Sequence, residues 1–293
     1  MISPQEKEKK FERFIIKEYL RYGSVDEVFR KNNYDLPISY PGVHRLINRW
    51  GIVKAAGPNS KLSEALTLLV LLSDKKLPLE RLYKVLPPSF KTSLATMHRI
   101  MHNVKEGIIR RYGTALVIVP EDNPTQILVG DDISTPRLEY GKPFGSTSLP
   151  VTFSKKTENP KESILRVIQH EVFTQEAIEK KIPAGIIPDN LKPFMYLDIA
   201  DVRVAVYQIK LPSNLSCKKC FSSFKLINHR FLSLSNLTDG NLLKFNFRAG
   251  AREVGLAYKR YLNNLKENKA TEPLILKSLV NLQLADFALE FAR

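Results

Sequence analysis

The acidic, basic and nucleophilic side chains that could do chemistry concentrate in the stretch 148–174, SLPVTFSKKTENPKESILRVIQHEVFT. Glu158 precedes Arg166 by eight residues, and Arg166 opens the run Arg166-Val167-Ile168-Gln169-His170-Glu171. Carboxylates gathered on one helix are the hard oxygen donors that Mg²⁺ or Mn²⁺ requires, and a metal held this way can activate water. Here the donors are few. Glu171 stands beside His170, a poor Mg²⁺ ligand, and one carboxylate cannot hold such an ion. Asp131, Asp132 and Glu139 are the nearby acids that precede the stretch. Cys217-Lys-Lys-Cys220 has the spacing of half a zinc site, but a closed site needs four ligands and His229 has no local companion. The pair reads as a free-thiol loop, with an intermolecular zinc site or a redox pair as alternatives. The loop GKPFGSTS lacks the spacing of a phosphate-cradling loop and reads as an ordinary connection.

The elements that must position these residues can be read on either side. Asn159 is a suitable N-cap, Pro160 suits the first helical position, and Glu162 stands three residues after the cap. Ile164, Leu165, Ile168, Val172 and Phe173 supply the buried side of that helix. Short β-rich runs at 114–120 and 126–130 precede it, separated by a turn-like pentapeptide. Strands at 194–198, 202–211 and 231–234 follow, then a helix at 249–265. A last apolar helix at 274–291 reads as core packing, with a dimer surface as the alternative.

With Thr152 six residues before Glu158, the stretch resembles the Nudix box, G-x5-E-x7-R-E-U-x-E-E-x-G-U with U aliphatic. The strand order around it is also similar to that family. The resemblance implies an α/β (α+β) Nudix-like domain and a diphosphate hydrolase that uses Mg²⁺. Glu158, Arg166 and Glu171 match the pattern; Thr152, Val167, His170 and Phe173 depart from it. The expectation is therefore a catalytically degenerate domain with no metal and no cofactor, leaning away from an enzyme.

The first third of the chain carries a different signal. Of the 45 Lys+Arg and 30 Asp+Glu, residues 1–111 hold 21 and 11, so most of the net +15 lies there and suits an anionic partner. Apolar residues recur at helical spacing from 4 to 22, and Gly23 ends the pattern. Ser24 can cap a short helix, Pro37 forces a break, and Ser39 or Tyr40 can cap a third helix that stops at Gly51. Val43, Leu46, Ile47 and Trp50 form its buried stripe, leaving Tyr40, His44, Arg45, Asn48 and Arg49 for base edges and phosphates. An internal repeat follows, because 39–47 aligns without gaps with 93–101. The second copy offers Thr96, His98, Arg99 and His102.

This N-terminal part resembles the tandem helix-turn-helix units of bacterial DNA-binding regulators. The expected architecture is an α-helical domain at 1–111, with units at about 1–56 and 57–111, followed by a Nudix-like domain at 112–293. The function that follows is a DNA-binding transcriptional regulator whose second domain senses a nucleotide-like ligand. Two alternatives remain: an active Nudix-type hydrolase of nucleoside-diphosphate derivatives using Mg²⁺ and acids outside the box (Asp131, Asp132, Glu139), or a protein-interaction scaffold. The expected partners are DNA, a nucleotide-like small molecule and a second copy of the chain. With no apolar run near ~20 residues and no signal-peptide start, no membrane and a cytoplasmic location are expected.

Overall fold

Ser3 and Glu6 start the first helix, α1 (Pro4–Tyr22). The Ser3 hydroxyl accepts from the Glu6 backbone at 3.2 Å and the Glu6 carboxylate accepts from the Ser3 backbone at 2.9 Å, so two otherwise orphaned N–H groups are satisfied reciprocally. Gly23, at φ 73°, turns the chain out of the helix. Helix α2 (Val25–Lys31) and helix α3 (Tyr40–Arg49) follow, the latter capped by the Ser39 hydroxyl on the Gly42 N–H at 3.2 Å. Val43, Leu46 and Ile47 are buried against Ile15, Ile16, Leu20, Val28 and Phe29, as the periodicity requires. In the computed structural model the described residues are 3–56, 111–137 and 141–278, apart from 156, 184, 200–201 and 239–244, with single positions at 81, 84 and 102. The second helical copy, including Thr96, His98 and Arg99, lies outside them; His102 is described and is exposed.

Beyond these helices the described residues are α/β, with two sheets. Strands β1 (Arg111–Pro120), β2 (Gln126–Asp132), β3 (Ser146–Ser148) and β4 (Val151–Ser154) lead to helix α4 (Pro160–Val167). The helix continues as a π-helical turn (Ile168–Val172) into helix α5 (Thr174–Glu179). Strands β5 (Met195–Ile199), β6 (Val202–Leu211) and β7 (Leu226–Ser233) are followed by helix α6 (Leu234–Thr238), helix α7 (Ala251–Lys266) and strand β8 (Leu274–Lys277). A mixed five-stranded sheet has the order β4-β1-β6-β5-β8, and a three-stranded antiparallel sheet the order β3-β2-β7.

Strand β1 explains its own composition. It lies inside the larger sheet, parallel to β6 and antiparallel to β4, and both its faces are covered. Val117 and Val119 face the core that holds Val254, Ala257 and Tyr258 of α7, while Leu116 and Ile118 face Ile164, Val167 and Ile168 of the α4 region. A strand buried on both faces reads as a continuous apolar run. Helix α4 is capped as expected, the Asn159 side chain accepting from Lys161 N at 2.9 Å. The N-terminal helices are not isolated from this layer, because Ala177 and Ile178 of α5 enter their core.

Two expectations need correction. The start of the expected helix at 274–291 is extended instead: 274–277 forms β8, parallel to β5, and 279–291 lies outside the described residues. The Leu-Ile-Leu run is too short for periodicity to separate strand from helix, and the open edge of β5 decides it. Strand β7 begins at Leu226 instead of 231, its first half disguised by Asn228, His229 and Arg230. Among the described residues no helix is long and apolar enough to cross a membrane.

Gly250 sets the approach of α7 to the sheet. At φ 88° it is left-handed, and a Cβ there would meet Leu197 Cδ2 at 2.3 Å. Gly250→Ala is expected to cost about 2–3 kcal/mol, combining backbone strain with forced repacking, measurable by urea unfolding.

Candidate active site

A bulge precedes the two acids at the end of β2. The register between β2 and β7 shifts between Val129 and Asp131, where Asn228 adopts φ 53°. Beyond it both acids are in register with β7, and neighbouring residues of a strand point to opposite faces. Asp131 turns to the surface, pairing with Arg230 at 2.9 Å and accepting from Asn228 at 3.1 Å. Asp132 turns inward and is buried. Its Oδ1 accepts from the Ser134 backbone at 3.0 Å and hydroxyl at 2.6 Å, with the Lys142 ammonium at 3.4 Å; Arg248 stands 3.8 Å from its Oδ2. Glu139 lies outside the described residues.

The α4 region supplies the other side. Arg166 is 1 % exposed. Its guanidinium forms a bidentate pair with Glu158 and also donates to the carbonyls of Phe153 at 3.1 Å and Lys54 at 2.6 Å. Gln169 donates to the Gly51 carbonyl and accepts from the Val53 backbone, both at 2.8 Å. His170 Nε2 stands 3.0 Å from the Val53 carbonyl, which can only accept, so this nitrogen carries the proton. Burial, with Lys225 nearby, pushes His170 down to about 3, so the ring is neutral across the physiological range. Three side chains within little more than one turn of the box helix thus fasten 51–54, the segment leaving the N-terminal helices. Val167, where the family pattern has a glutamate, packs into the apolar core under β1.

Glu171 is different. Its backbone carbonyl accepts from His229 at 2.8 Å, but its carboxylate has no hydrogen bond or ion pair among the described residues. It faces a cavity of about 300 Å³ lined also by Asp132, Thr152, Arg137, Lys142, Lys225 and Arg248. Burial, reinforced by Asp132 and opposed by Lys225, Lys142 and Arg248, pushes Glu171 up to about 7. Burial also lowers Lys142 and Arg248 from their ordinary values. Tyr22, Ala55 and Ala56 close one side, so the N-terminal part contributes a wall.

The donor set does not fit Mg²⁺. No group of three or more His, Cys, Asp or Glu side chains able to hold a metal occurs among the described residues. Of the two carboxylates in the cavity, Asp132 is already committed to Ser134 and flanked by Lys142 and Arg248. Four cationic side chains beside two carboxylates repel a divalent ion.

Other candidates are placed elsewhere. His44, Arg45 and Asn48 are exposed on α3. Arg49 is paired with Glu12. Tyr40 stacks on Phe29 at 4.2 Å between ring centroids and donates to Asp26 at 2.8 Å, which with partial desolvation pushes its hydroxyl up to about 12. Cys217 and Cys220 form a disulfide, correcting the free-thiol reading. The 3₁₀ turn Lys218–Cys220 folds the loop back so that the two Cα atoms are 5.4 Å apart. Lys142, Lys225 and Arg248 were missed because they come from separated loops; the GKPFG loop was the one local signal, and it holds Lys142.

No protein-family model matches the chain, and neither does any curated protein. Similar solved structures exist. They include a NUDIX hydrolase from Nitrosomonas europaea (15 % identity, TM-score 0.36, covering 57 % of this chain and 79 % of that one). An ADP-ribose pyrophosphatase from Streptococcus suis shows 14 % identity and a TM-score of 0.36, covering 57 % of this chain and 99 % of its own. A C. elegans Ap4A hydrolase shows 13 % identity and a TM-score of 0.35, with 54 % and 98 % covered. The expectation of a DNA-binding regulator with an inert second domain is corrected here. The second domain builds a charged cavity around Glu171, and part of the polar face assigned to DNA is engaged within its own unit.

Proposed function

We propose that the chain hydrolyses a phosphoanhydride bond of a nucleoside-diphosphate derivative in this cavity. One observation carries the reading: a carboxylate without hydrogen-bond or ion-pair partners among the described residues, Glu171, faces a cavity with Lys142, Lys225 and Arg248. A carboxylate raised to about 7 is matched to accept a proton from water near neutral pH. Water oxygen bonds to phosphorus, the bridging P–O bond breaks, and the water proton passes to Glu171 and then to the departing phosphate. The lysines and arginines offset the charge that builds on the phosphoryl oxygens and the leaving group. Asp132 holds Lys142 in place.

Phosphate release from a panel of nucleoside-diphosphate derivatives, with and without Mg²⁺ or Mn²⁺, tests this. Turnover is expected, and Glu171→Gln is expected to lower kcat by about 10²–10⁴-fold with KM little changed, the range of a lost general base. Absence of turnover across the panel, or turnover indifferent to Glu171, overturns the reading.

A further inference from the structure

We infer that the cavity holds a phosphate group directly on Lys225, Arg248 and the Thr152 hydroxyl, without a metal ion, at the place where the resembled pattern would put one. The inference rests on the same cavity as the proposed hydrolysis but not on turnover.

Charge decides it first. Lys142, Lys225 and Arg248 face Asp132 and Glu171, while Arg166 is neutralised by Glu158. These groups leave an excess of positive charge even with both acids ionised, which complements a phosphate and opposes a divalent cation. The availability of the donors points the same way. The Lys225 ammonium has no hydrogen bond or ion pair among the described residues. Arg248 approaches Asp132 only to 3.8 Å, beyond hydrogen-bond distance, leaving its donors for another acceptor. Thr152 Oγ1 is buried without a partner, at the position where the box pattern has glycine. A buried unsatisfied hydroxyl costs stability on its own and donates well to an anion.

The sequence origin of these groups explains how cations came to gather there. Lys225 is held by the turn at Ser223, whose hydroxyl accepts from the Lys225 backbone at 3.0 Å and donates to the His170 carbonyl at 2.9 Å. Arg248 is held by its backbone N–H on the Thr147 carbonyl at 2.9 Å, so β3 and the box helix each position one cation.

Inorganic pyrophosphate is the probe, titrated calorimetrically into the full chain in EDTA and again in excess Mg²⁺. Binding is expected in EDTA, with an affinity that rising salt weakens. Lys225→Gln is expected to weaken it at least tenfold, and Thr152→Val a few fold, without a fall in thermal midpoint. Arg248→Lys, which keeps the charge but loses the fork, is a second variant and is expected to weaken it severalfold. Binding that requires Mg²⁺ or Mn²⁺, no binding in either condition, or binding in EDTA that neither Lys225→Gln nor Arg248→Lys changes overturns the inference. Metal-free binding without turnover of any nucleotide refutes the hydrolase reading alone.

Discussion

Arg166→Leu is expected to destabilise the chain by about 3–5 kcal/mol, the cost of removing one member of a buried ion pair. The guanidinium is almost fully enclosed, and the Glu158 side chain is only 2 % exposed. Leucine leaves that carboxylate buried and uncompensated, and releases the carbonyls of Phe153 and Lys54 as well. At roughly 2–4 °C per kcal/mol for a large domain, the thermal midpoint should fall by about 6–20 °C. The double variant Glu158→Leu/Arg166→Leu should recover most of the loss, because a buried pair replaced by apolar side chains is often neutral. A double variant as unstable as the single one would show that the carbonyl contacts, and not the ion pair, set the cost. A single variant within 1 kcal/mol of the parent would refute both.

That pair also shows what could be read in advance. The eight-residue interval between Glu158 and Arg166 was legible because it spans a local loop and the first turns of a well-capped helix. The helix start at Asn159-Pro160 was legible for the same reason. What Gln169 and His170 do was not, since their partners lie at 51 and 53, more than a hundred residues earlier. In the sequence His170 looked like a lost ligand and Gln169 filled a variable position; in the fold both are hydrogen-bonding groups turned toward another part of the chain. Asp131 and Asp132 are alike in type; the alternation of β2 sends one outward and one inward, and only the pairing with β7 decides which of them faces the cavity. The reading of α3 separated buried from exposed positions correctly at Val43, Leu46 and Ile47, yet it could not see that Glu12 would engage Arg49 or Asp26 would engage Tyr40. Periodicity reports which way a side chain points, and contacts between distant segments decide what it is used for.

Glu171 gives a second large effect, opposite in sign for stability and activity. Its folded value near 7 exceeds the usual 4.5, so the folded state keeps a proton that the unfolded chain has already released. The penalty is absent below pH 4.5, grows between 4.5 and 7, and is complete above that. That elevation converts to a ceiling of about 3 kcal/mol lost on the alkaline side. His170 acts on the other limb: a folded value near 3 against 6.5 places its penalty below pH 6.5, growing as the pH falls. Glu171→Gln removes only the alkaline penalty. It should raise the thermal midpoint at pH 8 by several degrees, leave it unchanged at pH 4, and abolish the hydrolysis proposed above. Scanning calorimetry of the two proteins across this range reads the difference directly. A gain of the same size at pH 4 and pH 8 would mean that packing, and not ionisation, separates them, and the carboxylate would then be a structural group without the charge state that base catalysis needs.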